Sequence, residues 1–287
     1  MTQDGAIRKA KRLARRTLDQ GSRIAGGAVD ALRRGDRVLL DAPPHGMRLG
    51  NFLYLWLQVH LRRAAGESIS VRESRGMEQW CDEFPALRAL TADASEIRFS
   101  DRREWDGAWL YQRFGTDFTR DQLQVFIGDV FRERVPAGDA RRLVINIRRG
   151  DFYGTEFEAK HGFDIVPFVD AALDRFPDAE GTLVVSDDPH WCRRTLDSRL
   201  RAHAGTVDYA AQDPLDNLLA LGSARLLIGA NSTFSYWGAY IADAMHPDAR
   251  IVMPRFHARM PHGSDAHQLD PRWIALDGFD GFDGGAR

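Results

Sequence analysis

Cysteine is scarce in this chain. Only Cys81 and Cys192 carry thiols among 287 residues. They lie too far apart in sequence for a local zinc or redox motif, and two cysteines build no disulfide framework, so a reducing compartment is the simplest setting. Lysine is scarcer than the charge total suggests, with Lys9, Lys11 and Lys160 the only lysines among 39 basic residues. There is no run of about 18 apolar residues, so no membrane-spanning helix is expected. The formal net charge of −2 gives no global case for nucleic-acid binding. The loop signatures G-x-G-x-x-G, Walker A and G-x-S-x-G are all missing. His257, His262 and His267 recur at intervals of five, which aligns them on neither a strand face nor a helix face, so no metal centre is expected there.

What is present is an ordinary globular composition, 44% hydrophobic and 28% charged, enough for a sizeable core. The length suits one large domain or two lean ones. Charge is uneven: Met1–Arg37 carries ten basic residues against Asp4, Asp19, Asp30 and Asp36, which leaves an acidic remainder. Within that leader, residues 6–18 place Ile7, Ala10, Leu13, Ala14 and Leu18 near one helical face, with basic residues around them. The pattern fits peripheral contact with an anionic membrane, and equally a solvated leader. No apolar stretch follows Arg16 as a secretion signal would require. The expected location is therefore cytoplasmic, with the inner face of the cell membrane as a peripheral option.

From Arg37 onward, short apolar strands alternate with helical patterns. Strands are expected at 37–41, 68–72, 143–147, 182–185, 206–209, 225–228 and, last, 250–253. Helices are expected at 51–65, 77–90, 121–134, 166–176, 190–200, 214–221 and 235–245. Such alternation predicts an α/β protein with mostly parallel sheets. The boundaries read as a leader (1–36), an N-terminal α/β half (37–140), a C-terminal half (141–276) and a frayed tail (277–287), with the break at Pro136–Arg142.

Three strand ends carry polar groups suited to chemistry. The strand at 143–147, with Asn146 inside it, runs into Arg148-Arg149-Gly150-Asp151, and guanidinium forks at the carboxyl end of a parallel strand suit phosphate oxygens. The strand at 182–185 ends in Ser186-Asp187-Asp188-Pro189, where carboxylates can accept hydrogen bonds from a base or ribose, hold a divalent cation, or simply start a helix. The strand at 225–228 precedes Ala230-Asn231-Ser232-Thr233-Phe234-Ser235, whose hydroxyls and backbone N–H groups open a helix and suit an anion. Cations, carboxylates and a helix start on one sheet edge describe a nucleotide-diphosphate site.

These motifs, with Arg48-Leu49-Gly50-Asn51 and Trp191, resemble the bacterial α-1,2-fucosyltransferase family (glycosyltransferase family 11), within a wider group of fucosyltransferases. The resemblance spans residues 46 to 240. It implies a GT-B architecture of two Rossmann-like domains, GDP-fucose bound mainly by the C-terminal one, and metal-independent transfer with inversion, needing no cofactor. By the same resemblance, Arg148 contacts the β-phosphate, Arg149 and Asp151 belong to its motif, and Asp187 or Asp188 reads guanine or ribose. Ser232, Thr233 and Ser235 hold the diphosphate at the helix start, Asn231 and Phe234 of the same motif also bind substrate, and Arg48, Gly50 and Asn51 face the cleft. Related α-1,6 enzymes place a base at the position of Glu156, which makes Glu156 the candidate base. The family carries His where this chain has Asn146, which removes a cationic role. The implied partners are GDP-fucose and an oligosaccharide or glycolipid-precursor acceptor attacked through galactose O2, with no nucleic acid. Use of another GDP-sugar, and a non-catalytic nucleotide-sugar or glycan binder, are the alternatives.

Overall fold

The computed structural model describes residues 32–42, 47–104 and 112–281. The basic segment 6–18 lies outside the described residues.

Two separate parallel sheets organise the chain. The first has the order β3-β2-β1-β4, built from β1 (Val38–Leu40), β2 (Ile69–Arg72), β3 (Thr91–Ala92) and β4 (Arg102–Glu104). The second has six strands in the order β12-β9-β8-β5-β6-β7. Its members are β5 (Leu143–Ile147), β6 (Thr182–Ser186), β7 (Val207–Tyr209), β8 (Leu226–Ile228), β9 (Arg250–Pro254) and β12 (Ile274–Leu276), every pair parallel. Between β9 and β12 the chain makes an antiparallel hairpin, β10 (Phe256–Met260) with β11 (Gly263–Asp265). Two helix-connected parallel sheets match the expected Rossmann-like α/β class. The strand at 250–253 is therefore not the last one: β12 continues the sheet beyond it. Residues 277–281 also depart from the frayed-tail expectation, because Phe279 packs on the core and its carbonyl accepts from the Asp164 N–H at 2.8 Å.

Local chemistry explains most element limits. The helix α1 (Leu49–Ala64) buries Leu49, Phe52 through Leu57 and Val59; a helix apolar nearly all round belongs inside a protein. The stretch expected as one helix at 77–90 is two, α2 (Glu78–Glu83) and α3 (Pro85–Ala89). Pro85 forces Phe84 into an extended conformation (φ −127°, ψ 93°), which ends the first helix. The helix α4 (Arg120–Phe131) starts with a reciprocal capping box between Thr119 and Gln122. In the second half come the short α5 (Glu158–His161), then α6 (Ile165–Leu173), α7 (Pro189–Thr195) and α8 (Asp197–Ala204), the last two replacing one expected helix. The helix α9 (Pro214–Gly222) is capped by Asp213, whose carboxylate accepts from Leu215 and Asp216 N–H at 2.8 and 2.9 Å. The helix α10 (Thr233–Met245) is capped by Ser232.

The six-stranded sheet is apolar on both faces. On one face Leu143, Ile145, Ile147, Val184, Ile228 and Val252 pack with α6 and Leu196 and Leu200. On the other, Val144, Val185, Leu227, Ile251 and Met253 join a cluster that also holds Val38, Leu40, Ile69 and Val71 of the first sheet. Trp56, Tyr54, Phe126, Tyr236 and Trp237 fill the space between, all essentially inaccessible. One core therefore serves both sheets across α1, α4 and α10. A buried ionic knot reinforces it: Arg120 of α4 pairs with Asp243 of α10 and with Asp270, and Arg272 pairs with both carboxylates. Burial pushes both carboxyls up from their ordinary range, opposed by the Arg120 charge.

Candidate active site

Strand order in the second sheet reverses between β5 and β8: β6 and β7 extend one way, β9 and β12 the other. In open parallel sheets ligands bind outside the carboxyl ends of the strands at such a switch point. Arg148 follows β5 and the Asn231–Ser235 turn follows β8, so two predicted motifs flank this crevice.

Contacts between the motifs are specific. One arm of the Arg148 guanidinium lies 2.9 Å from Asp187 after β6, the other 2.7 Å from Asp151. The Arg149 backbone N–H donates to the second Asp187 oxygen at 2.7 Å. A Cβ on Gly150 would sit 2.9 Å from the Asp187 carboxylate, so glycine permits this approach. Arg48, immediately before α1, reaches Asp151 at 3.4 Å. Two residues further on, a Cβ on Gly50 would lie 2.6 Å from Thr233 Oγ1 and 2.7 Å from the Phe234 nitrogen. The start of α1 and the start of α10 are thus in direct contact. Four motifs that the sequence scatters over residues 48 to 235 converge on one place.

Individual roles diverge from position to position. Arg149 is stacked between Tyr153 and Trp191, its guanidinium carbon 4.4 and 4.2 Å from their ring centres, with Asp188 3.5 Å from Nε. Asp188 also caps α7 through the Trp191 N–H at 3.0 Å. Asn146 is 5% exposed and donates to the Val185 carbonyl at 3.0 Å, a bond internal to the sheet. Ser232 accepts from the Ser235 N–H at 3.2 Å, and the buried Ser235 hydroxyl accepts from the Ala230 N–H at 2.8 Å. Thr233 and Phe234 are only half-buried and border α1. Asn51, in the first turn of α1, is half-buried. Asn231 is fully buried, its amide donating to the His161 and His257 carbonyls at 2.8 and 3.0 Å. Glu156 is exposed on the loop after Asp151.

Sequence reasoning missed the layer behind these groups. The Phe152 ring stacks on His161 at 4.4 Å and lies under Arg148 at 5.5 Å. His257 meets the Tyr236 hydroxyl through Nδ1 at 3.0 Å, and burial pushes its pKa down to about 4. Burial likewise lowers His161 and raises Tyr153 to about 12. Both histidines are therefore neutral at ordinary pH, which leaves the arginines as the cations of the crevice. Only the odd aromatic content of Phe152-Tyr153 hinted at this layer.

The model of glycosyl transferase family 11 matches residues 108–258, more than half of the chain. The chain belongs to this family. The matched span contains the Arg148, Asp187 and Asn231 motifs and leaves Arg48 and Gly50 outside. O-antigen biosynthesis glycosyltransferase WbnK of Escherichia coli is 27% identical over 127 residues, 43% of this chain. The match spans about two fifths (41%) of that curated relative's length. A solved structure of POFUT1 in complex with GDP-fucose aligns over 75% of this chain and 73% of its own, at 14% identity and a TM-score of 0.31. That score is too low to argue from, and the fold assignment rests on strand order and pairing. As a family 11 member, the chain keeps its cationic crevice at the switch point of its second sheet. Among the described residues, no helix is long and apolar enough to cross a membrane.

Proposed function

We propose that this protein is an inverting, metal-independent fucosyltransferase that moves L-fucose from GDP-fucose to a hydroxyl, galactose O2, of an oligosaccharide or glycolipid-precursor acceptor. One observation carries the reading: Arg148 stands at the switch point with both guanidinium arms held by carboxylates, beside a helix start. The Asp151 and Asp187 oxygens occupy donors that phosphate oxygens of a nucleotide diphosphate can take over, because carboxylate and phosphate present the same bidentate edge. In the reaction the acceptor oxygen attacks the fucose anomeric carbon from the face opposite the nucleotide. The bond from that carbon to the β-phosphate oxygen breaks, and GDP departs. Arg148 balances charge growing on the leaving phosphate, and Glu156 takes the acceptor proton. Asp187 and Asp188 stand on the side where base and ribose would extend. Membrane contact through residues 6–18 and a cytoplasmic location remain part of the proposal.

Asn146 bears on the alternative of a binder without turnover. Its NH2 donates inside the sheet while its Oδ1 is buried without a partner, so its replacement of His removes a charge but keeps hydrogen-bonding capacity in the strand before Arg148. That favours the catalytic reading.

The test is direct. GDP-fucose, in EDTA, should raise the melting temperature, whereas UDP- and CDP-sugars should leave it unchanged. With a β-galactoside acceptor, GDP should appear together with a fucosylated product of inverted configuration. A shift with GDP-mannose but none with GDP-fucose would reassign the donor; no shift with any GDP compound would remove the site.

A further inference from the structure

The loop following Asp151 is built to hold still. The Phe152 and Tyr153 N–H groups donate to the Arg149 carbonyl at 2.8 and 2.9 Å. The Thr155 hydroxyl donates to the Asp151 carbonyl at 2.7 Å and accepts from the Phe157 N–H at 3.1 Å. The Gly154 N–H donates to the Glu158 carboxylate at 3.0 Å. The Tyr153 hydroxyl closes the base of the loop, donating to the Phe163 carbonyl at 2.7 Å and accepting from the Phe163 N–H at 3.0 Å. With Arg149 stacked on Tyr153, the entry strand of the loop is fixed to the crevice.

Its return strand is fixed from elsewhere. Arg259 of β10 donates to the Gly162 carbonyl at 2.7 Å and, more weakly, to the Ala159 carbonyl at 3.3 Å. Asn231, immediately before the α10 cap, donates to the His161 carbonyl at 2.8 Å and ties it to the His257 carbonyl of β10. These donors reach the end of α5, where carbonyls lack helical partners. The loop is thus tied at its base and along its return strand, while Glu156 and the 49% exposed Phe157 project at its apex.

The geometry points to Arg259 as a positioning residue of the transfer reaction: together with Asn231 it clamps the return strand of the 151–163 loop, so that Glu156 keeps a fixed place relative to the crevice at Arg148. Arg259 also donates to the Asp280 carbonyl; it touches neither donor nor acceptor and acts on the reaction through the loop. This rests on the proposed fucosyl transfer and on Glu156 as its base. A base displaced by about 1 Å can cost up to about a hundredfold in rate, because proton transfer needs a near-attack geometry.

The experiment compares Arg259→Met, Arg259→Lys and Glu156→Gln, singly and combined, with GDP-fucose and a β-galactoside acceptor. Arg259→Met keeps the aliphatic stem but loses the donors and the guanidinium that lies over Phe256. It should lower kcat about tenfold while leaving GDP affinity, read by calorimetry, within about twofold. Arg259→Lys, which keeps one charged donor, should recover part of that loss. In the Glu156→Gln background, Arg259→Met should change the residual kcat by less than about twofold, since the group it positions is gone. An unchanged kcat in Arg259→Met, a parallel loss of GDP affinity, or a full additional loss in the double variant would overturn the assignment. Full activity in Glu156→Gln would instead overturn the base, and the positioning role with it. GDP binding separates both failures from a failure of the donor reading.

Discussion

The two parallel sheets make opposite use of their carboxyl ends. In the first sheet the charges there are neutralised within their own half. Asp41 after β1 pairs with Arg72 of β2, Glu73 with Arg88 at 2.6 Å, and Glu104 of β4 with Arg62 of α1 at 2.6 Å. In the second sheet the charges pair across strand ends at the switch point, Arg148 after β5 with Asp187 after β6 and with Asp151. The same architecture therefore yields a scaffold in one half and a binding crevice in the other. What separates them is where the pairs gather: those of the second sheet meet at its switch point, where a phosphate could displace the carboxylates. Among the described residues, the first half reaches the site through Arg48 and Gly50.

The contrast can be broken at several points. Arg148→Ala should have the largest effect on function, a loss of about a hundredfold to a thousandfold in kcat together with GDP binding, with little change in melting temperature. Measured turnover and GDP titration check it; retained binding would move the crevice elsewhere. Arg72→Met should do the reverse. It leaves the 2% exposed Asp41 without its ion-pair partner and should cost about 3 kcal/mol of stability by denaturant unfolding, with GDP affinity unchanged.

Acid should weaken the second half. The native His257 refuses a proton until about pH 4, whereas in the unfolded chain it binds one near its ordinary value of 6.5. Its contribution is therefore intact above about 6.5 and lost progressively as pH falls toward 4. Unfolding midpoints across that window should fall in the wild type and fall less in His257→Gln.

Gly50→Ala puts a methyl against Thr233 and Phe234 and should cost about 1–3 kcal/mol. Because it pries apart the close contact between the two helix starts at the crevice, GDP affinity should drop as well. The smallest effect belongs to Thr119→Ala, which removes the α4 capping box at about 1 kcal/mol and should leave GDP binding alone.

Legibility followed strength of pattern. β5, β6, β8 and β9 are continuous apolar runs, and the sequence marks them clearly. β3 has two residues, β4 reads Arg-Arg-Glu and β11 Gly-Ser-Asp; none is long or apolar enough to show a period, so only tertiary pairing defines them. The residues of the site were legible because they sit at strand ends in recognisable order. Their division of labour was not. That Arg148 faces carboxylates while Arg149 is stacked between two rings depends on Trp191, some forty positions away. The same holds for Asn231, whose NH2 donates to the carbonyls of His161 and His257, and for Asn146, whose NH2 donates to Val185.

The core that runs unbroken from Val38 to Met253 has a consequence for modularity. The segment matching the family, residues 108–258, is a unit of ancestry and not a unit of folding. Cut free, it would bare Trp237, Tyr236 and Phe126 to water, lose β12 from its sheet and strip Arg120 of Asp270. A fragment of that span should therefore collapse or aggregate. Any transplant of the crevice onto another scaffold must bring α1 with it.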